Sequence, residues 1–376
     1  HYRTVLERDP AAHRARLQLA KLDLLENGEG ALGRAVTETE RAVLGSDYRS
    51  TEALTFLARL QMQRDGAAPD QDGKTDFERA KKNLHRALAV DDGYAPAQAA
   101  LAQLYLATAQ RAAGKRGREL TRGASRETAR SQALDLAFLV ATQALQKSPR
   151  HAELHNTIGL IAIEAGDDSR AAKAFGEARR LDPRSFEAHM NYAAVNLSFR
   201  GFTQAEAAYR AALGLRADDY DALLGLSLAV RGQIDAPDAK DARLAEAEAL
   251  IERAKKVDPR RPEAYFNHAV LVQELKAKAS AEPNRELEKA IGLFSSFAER
   301  AKGNQELADT VADVVSVPTL DDAACMRPGS RDLAGCKRGR IYDIREIIAF
   351  NEMNAAEQKR AREAARTRDA VVEAGP

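Results

Sequence analysis

The chain has 376 residues and carries 57 Lys and Arg against 56 Asp and Glu, a net charge of +1. That balance gives no overall pull toward nucleic acid or an anionic membrane, and no apolar run approaches the roughly 20 residues that cross a bilayer as a helix. Trp is absent and Ala is abundant, which suits helices in close contact, Ala being the best helix former.

The predicted elements are pairs of helices that recur at a spacing of about 34 residues. An opening fragment holds Tyr2, Val5 and Asp9-Pro10, and a weak repeat runs from His13 to Asp47. A third shows Leu57-Ala58, Ala80, Leu84 and Ala87. A fourth shows Leu101-Ala102, Tyr105, Ala137, Ala141, Ala144 and Pro149. The fifth, Ala152 to Ser185, is the clearest, with Ile158-Gly159, Ala171, Phe175, Ala178 and Pro183. The sixth sets Tyr192-Ala193, Ala205, Tyr209 and Ala212 at the same offsets. Leu226, Ala247, Ile251, Ala254 and Pro259 mark the seventh; His268-Ala269, Ala290, Phe294 and Phe297 mark the eighth. Two helices cannot bury an apolar face alone, so such repeats must stack. Beyond Arg300 the pattern changes. Gln305 to Val315 reads as a capping helix with Leu307, Val311 and Val314-Val315 apolar. Ile341 to Arg368 reads as a long final helix packed near its start through Ile344, Ile347, Ile348 and Phe350, and Val371 to Pro376 is expected to be disordered.

These offsets resemble the tetratricopeptide repeat (TPR), with its Leu-Gly, small Ala, aromatic, second Ala and closing Pro. The resemblance covers Tyr2 to Arg300. It implies an all-α, right-handed superhelical TPR solenoid of about seven full repeats plus an N-terminal partial one over 1–300. Residues 301–376 supply a capping helix, a Cys loop and a long C-terminal helix. It also implies binding rather than catalysis: a non-enzymatic scaffold that needs no cofactor. Its partners are proteins, taken as an extended peptide or helix in a concave groove lined by first helices, or on a rim. The groove positions so implied are Glu153, Asn156, Leu160, Glu187, Met190, Asn191, Ala194, Glu263, Phe266, Asn267 and Val270. Asn191 and Asn267 share one repeat position, where some family members clamp a peptide carboxylate. Without matching Lys or Arg among these positions, a clamp and a cytosolic co-chaperone role are not expected.

Four insertions, near Asp65–Asp76, Ala112–Ser131, Gly232–Asp241 and Lys276–Pro283, fall between the helices of their own repeats. They read either as a charge-patterned docking rim or as solvated loops that cost little. The basic one, Lys115 to Arg130, has no interleaved aromatics to stack on bases, so nucleic acid is not expected as a partner.

His151 and His155 are four apart, but the run is not a zinc-protease motif, and His155 takes a position where the family places a large packing residue; no metal is expected. No Gly-rich phosphate loop or nucleophile elbow occurs. Cys325 and Cys336 flank Pro328, Gly329 and Gly335, turn residues that could bring the ends of the segment together. The two cysteines read either as a disulfide or as two unrelated thiols; a disulfide would point to an oxidising compartment. The chain opens inside the second helix of a repeat without Met, so upstream residues, including any signal or lipid-attachment Cys, are expected. Ala- and Arg-rich repeats with these features resemble TPR lipoproteins of Gram-negative envelopes, such as that of the myxobacterial adventurous-gliding machinery. The implied place is the periplasm, anchored to the outer membrane only through an upstream lipid; the alternative is a cytosolic regulatory adaptor.

Overall fold

The computed structural model describes residues 1–25, 28, 30–64, 73–113, 124–234, 240–316 and 339–373. All regular structure among them is helical. The chain divides into two compact units, His1–Val195 and Asn196–Pro376.

The first unit contains α1 (Tyr2–Arg8), α2 (His13–Leu25), α3 (Ala31–Gly45), α4 (Thr51–Arg64), α5 (Asp76–Val90), α6 (Ala95–Ala113), α7 (Ala124–Lys147), α8 (Ala152–Glu164) and α9 (Asp168–Leu181), with α10 (Phe186–Ser198) running across its end. Within it α2 packs on α3, α4 on α5, α6 on α7 and α8 on α9. The first helices α4, α6 and α8 also lie side by side. The second unit contains α11 (Phe202–Leu215), α12 (Tyr220–Arg231), α13 (Lys240–Val257), α14 (Glu263–Leu271), α15 (Pro283–Arg300), α16 (Ala308–Val315) and α17 (Arg340–Glu373). Here α12 pairs with α13 and α14 with α15. Each unit is thus an array of helix pairs.

Small residues set how closely the pairs approach. Ala20, Ala35, Ala42, Ala53, Ala58, Ala80 and Ala87 are sealed in one core with Leu17, Leu54 and Leu84. A Cβ on Gly159 would lie 2.4 Å from the Phe175 ring, so the fifth repeat closes only with glycine there. In the second unit a glycine also faces an aromatic ring, but across a repeat boundary: a Cβ on Gly225 of α12 would lie 2.3 Å from Tyr209 of α11, the second helix of the preceding repeat.

Helix starts are capped by side chains that take up orphan amides. Thr75 and Glu78 form a reciprocal capping box on α5, Asp167 caps α9 through Arg170 N, and Asp219 caps α12 through Ala222 N. The turns between repeats have a two-part wiring. Asp9, Asp91, Asp182 and Asp258 each accept from the backbone nitrogen two residues on, at 2.9 to 3.0 Å. The next backbone carbonyl, that of Pro10, Asp92, Pro183 or Pro259, accepts from the fourth residue of the following repeat: Arg16, Gln98, His189 or Tyr265. His155 bonds the Pro149 carbonyl in the same way. This corrects the expectation that His155 and its equivalents are packing residues. They are latches whose polar tips satisfy a turn carbonyl that the helices leave over.

Parts of the expected insertions are helical. Ala112-Ala113 end α6 and Ala124 onward belongs to α7. Lys240 and Asp241 open α13, and Ile234 is buried. After α14 the chain continues through a π-helical turn, Val272–Lys276, into Ala277–Ala279, so the fourth insertion is accommodated by a widened helical turn before the chain reverses. Residues 65–72, 114–123 and 235–239 of the first three insertions lie outside the described ones.

The last repeat is capped as expected, with differences. A short 3₁₀ turn, Gln305–Leu307, precedes α16, and Val314 is fully buried whereas Val315 is exposed. In α17, Ile344 is fully buried and Ile348 packs against the same core. Ile347 and Phe350, expected to pack, are 45% and 58% exposed. The helix continues to Glu373, past the start of the expected disorder. Cys325 and Cys336 lie outside the described residues, but the backbone on either side is joined. Gly339 N donates to Ser316 O at 2.7 Å, and a Cβ on Gly339 would stand 2.6 Å from Val314 O.

Candidate functional site

The face formed by first helices in the first unit is laced by polar side chains. Lys21 of α2 reaches Glu52 of α4 at 2.6 Å. Arg59 of α4 donates to Glu153 of α8 at 2.5 Å and to the Pro96 carbonyl at 3.3 Å. Gln103 of α6 donates to Glu153 at 3.4 Å and to Thr157 at 3.1 Å. Asn191 of α10 donates to Asn156 of α8 at 2.9 Å. Burial raises the Tyr94 hydroxyl pKa above its ordinary value, and the nearby Glu52 carboxylate raises it further against the opposing effect of Arg59.

Basic groups also stand on this face, at positions outside those expected to line the groove. Lys21 and Arg59 are each bound to a carboxylate of another first helix. Arg59 and Gln103 occupy the same repeat position as Leu160, and Thr157 the same one as Asn191. Extending those offsets to the third, fourth and fifth repeats would have found them.

The ladder leaves one stretch of the face apolar. Leu160 is half-buried, Ile163 beside it is 41% exposed, Met190 is half-buried and Ala194 is exposed, with the exposed Glu187 at the edge. These residues of α8 and α10 are the part of the expected groove that the fold leaves accessible in this unit.

The second unit treats its expected groove residues differently. The Phe266 ring stands edge-on to Phe294 at 5.8 Å and tilted on Phe297 at 5.2 Å. Val270, expected to face the groove, is 7% exposed and shares a core with Val314 and Ile344 of the capping helices. Arg340, at the start of α17, donates to Gln273 and Glu274 at 3.2 Å. Asn267 bonds back to the Glu263 carbonyl of its own helix, unlike Asn191, and Glu263 accepts from Tyr220 and Arg261 at 3.4 Å. Most of these side chains serve folding.

The second unit also holds a buried ionic cluster. His268, 1% exposed, bonds Glu248 through Nε2 at 3.1 Å and meets Lys255 Nζ through Nδ1. Burial alone would raise Glu248; hydrogen bonds from Lys276, Lys289 and His268 outweigh it and hold the carboxyl at about 2. Burial, with Lys255 beside it, pushes His268 below its ordinary value.

Among the described residues no three His, Cys, Asp or Glu side chains are grouped to hold a metal, and no helix is long and apolar enough to cross a membrane.

No family model matches the chain, and no curated protein does. Solved structures with similar helical repeats include TTC0263, a TPR protein of Thermus thermophilus, at 24% identity over 58% of this chain and 100% of that one, with a TM-score of 0.46. Pseudomonas aeruginosa pilF is 17% identical over 71% of this chain and 96% of that one, with a TM-score of 0.49. Yeast Tom70 is 15% identical over 82% of this chain and 56% of that one, with a TM-score of 0.42. These likenesses are loose. The all-α architecture stands on the chain's own paired helices, and the similarity to tetratricopeptide repeats stands on its own offsets, from Gly159 against Phe175 to the Asp-Pro turns.

Proposed function

We propose that the chain is a non-enzymatic protein–protein interaction scaffold that takes an extended peptide or an amphipathic helix on the α8–α10 face. The observation that carries this reading is the break in the polar ladder. From Lys21 to Thr157 the face binds itself, and at Leu160, Ile163 and Ala194 it stops doing so and turns apolar.

The test is a photo-crosslinking residue placed at Ile163 or Ala194 in cells. Partner adducts are expected there and not at Leu139, which is comparably exposed on α7. Equal adducts at all three positions would remove the α8–α10 face from consideration. The captured partners also bear on compartment. Our reading places the scaffold in a bacterial cell-envelope machine for motility or secretion, on the resemblance of the repeats and the spacing of Cys325 and Cys336. Recovery of periplasmic or outer-membrane components supports it. Recovery of cytosolic regulators, together with free thiols at both cysteines, would replace it with a cytosolic adaptor.

A further inference from the structure

Successive second helices leave a cleft between them, and the first unit contains one that is chemically unlike its counterpart in the second. It lies between α3 and α5 over α4 and encloses about 360 Å³. Its floor carries Leu57, Gln61 and Asn83; its edges carry Lys74, Arg79, Lys82 and Arg86 against one acid, Glu40. The counterpart lies between α11 and α13 over α12. The repeat positions of Ala80 and Ala247, and of Leu57 and Leu226, align the two. Asn83 then matches Leu250, Lys82 matches Ala249 and Gln61 matches Val230, all three small or apolar in the second unit. The pair Glu40 and Arg79 matches Arg210 and Glu246, which bridge the second cleft at 2.6 Å.

The amide pair is the unexplained part. Gln61 is 2% exposed and Asn83 7%. Asn83 Nδ2 donates to Gln61 Oε1 at 3.1 Å. Gln61 Nε2 and Asn83 Oδ1 have no other partner among the described residues and line the cleft. Neither atom is sealed from solvent, so both are open to a ligand in the cleft, and packing does not require polar groups here, because Val230 and Leu250 fill the same places in the second unit. Arg86 is aimed by its stack on the Tyr48 ring, 4.4 Å away. Tyr48 and Asp47 both sit in the left-handed backbone region, at φ 57° and 49°, which non-glycine residues rarely adopt.

We propose that this cleft binds an acidic peptide segment of a partner protein, a second contact separate from the α8–α10 face. The C=O of one extended residue of the segment accepts from Gln61 Nε2 and the N–H of the same residue donates to Asn83 Oδ1, and neighbouring Asp or Glu side chains pair with Lys82 and Arg86. An extended backbone residue fits better than a simple anion because the amide pair offers one donor and one acceptor, whereas a phosphate at neutral pH mainly accepts.

The test is fluorescence anisotropy with a labelled peptide alternating Glu and Gly, its Lys–Gly counterpart as control, and inorganic phosphate as competitor. The acidic peptide is expected to bind and the basic one not. Lys82→Glu with Arg86→Glu, on the surface, is expected to weaken binding about tenfold or more. Gln61→Val with Asn83→Leu, which copies the second unit, is expected to weaken it similarly while the melting temperature holds or rises. The proposal is overturned if the wild-type protein does not bind the acidic peptide, if the amide double variant binds it as well as wild type, or if phosphate alone displaces it completely.

Discussion

The two units use equivalent repeat positions for opposite ends. In the first, polar side chains on the first helices bond from helix to helix, Lys21 to Glu52 and Arg59 to Glu153, and the face stays at the surface. In the second, the corresponding face closes on itself. Phe266 and Val270 join a core with Phe294, Val314 and Ile344, and a buried His268–Glu248 pair ties α13 to α14. A repeat position thus specifies geometry, and the local residues decide whether that geometry becomes a binding surface or a seal. The seal belongs where the stack ends, because a terminal repeat has no neighbour to cover its apolar side.

The largest effects are expected at the glycine contacts, one within a repeat in the first unit and one between repeats in the second. Gly159→Ala and Gly225→Ala each force a methyl group into an aromatic ring and should each cost about 3 kcal/mol in chemical denaturation. If Gly225→Ala is tolerated while Gly159→Ala is not, the contact between repeats yields more readily than the one within a repeat.

Acid should separate the units. His268 is held below its ordinary 6.5 by burial, so the unfolded chain binds a proton that the folded one refuses. Stability is complete above that value and falls as the pH drops through it, by at most about 1.4 kcal/mol per pH unit. A second loss follows between about 4.5 and about 2 as Glu248 is protonated. Hydrogen exchange should show α13 and α14 losing protection as the pH falls below about 6.5, before α4 and α5 do. His268→Gln should abolish the first step, and an unchanged acid profile in that variant would remove His268 as its origin.

The smallest effect expected is at the latches. His189→Phe keeps the ring volume and removes the bond to the Pro183 carbonyl, and should cost about 1 kcal/mol. Tyr265→Phe in the second unit should cost a similar amount, because the wiring is the same on both sides.

The helix pairs were legible in the sequence because period, small residues and Asp-Pro turns all report the same local geometry. The function of the fourth repeat position was harder to see. Arg16, Gln98, His155, His189 and Tyr265 share no chemistry except length and a polar tip, so residue size suggests packing at His155 and does not reveal the latch. The face of the last repeat was misread for a different reason. Val270 occupies a groove position, yet it lies in a core that Val314 and Ile344, far along the chain, join. Burial created by a distant segment leaves no periodic trace. The polar ladder failed to register for a simpler reason: Arg59 lies in a repeat whose groove offsets were not followed.

The latch spans only six residues, from a carbonyl at the end of one repeat to a side chain at the start of the next. Each boundary is therefore self-contained. Excising 150–183 would place Arg184 directly after Pro149, and His189 would then stand six residues beyond the Pro149 carbonyl, the spacing at which His155 already bonds it. The array can in this way lose or gain a unit at that junction without inventing a new corner, and the length of such a chain becomes an inheritable variable largely independent of its architecture.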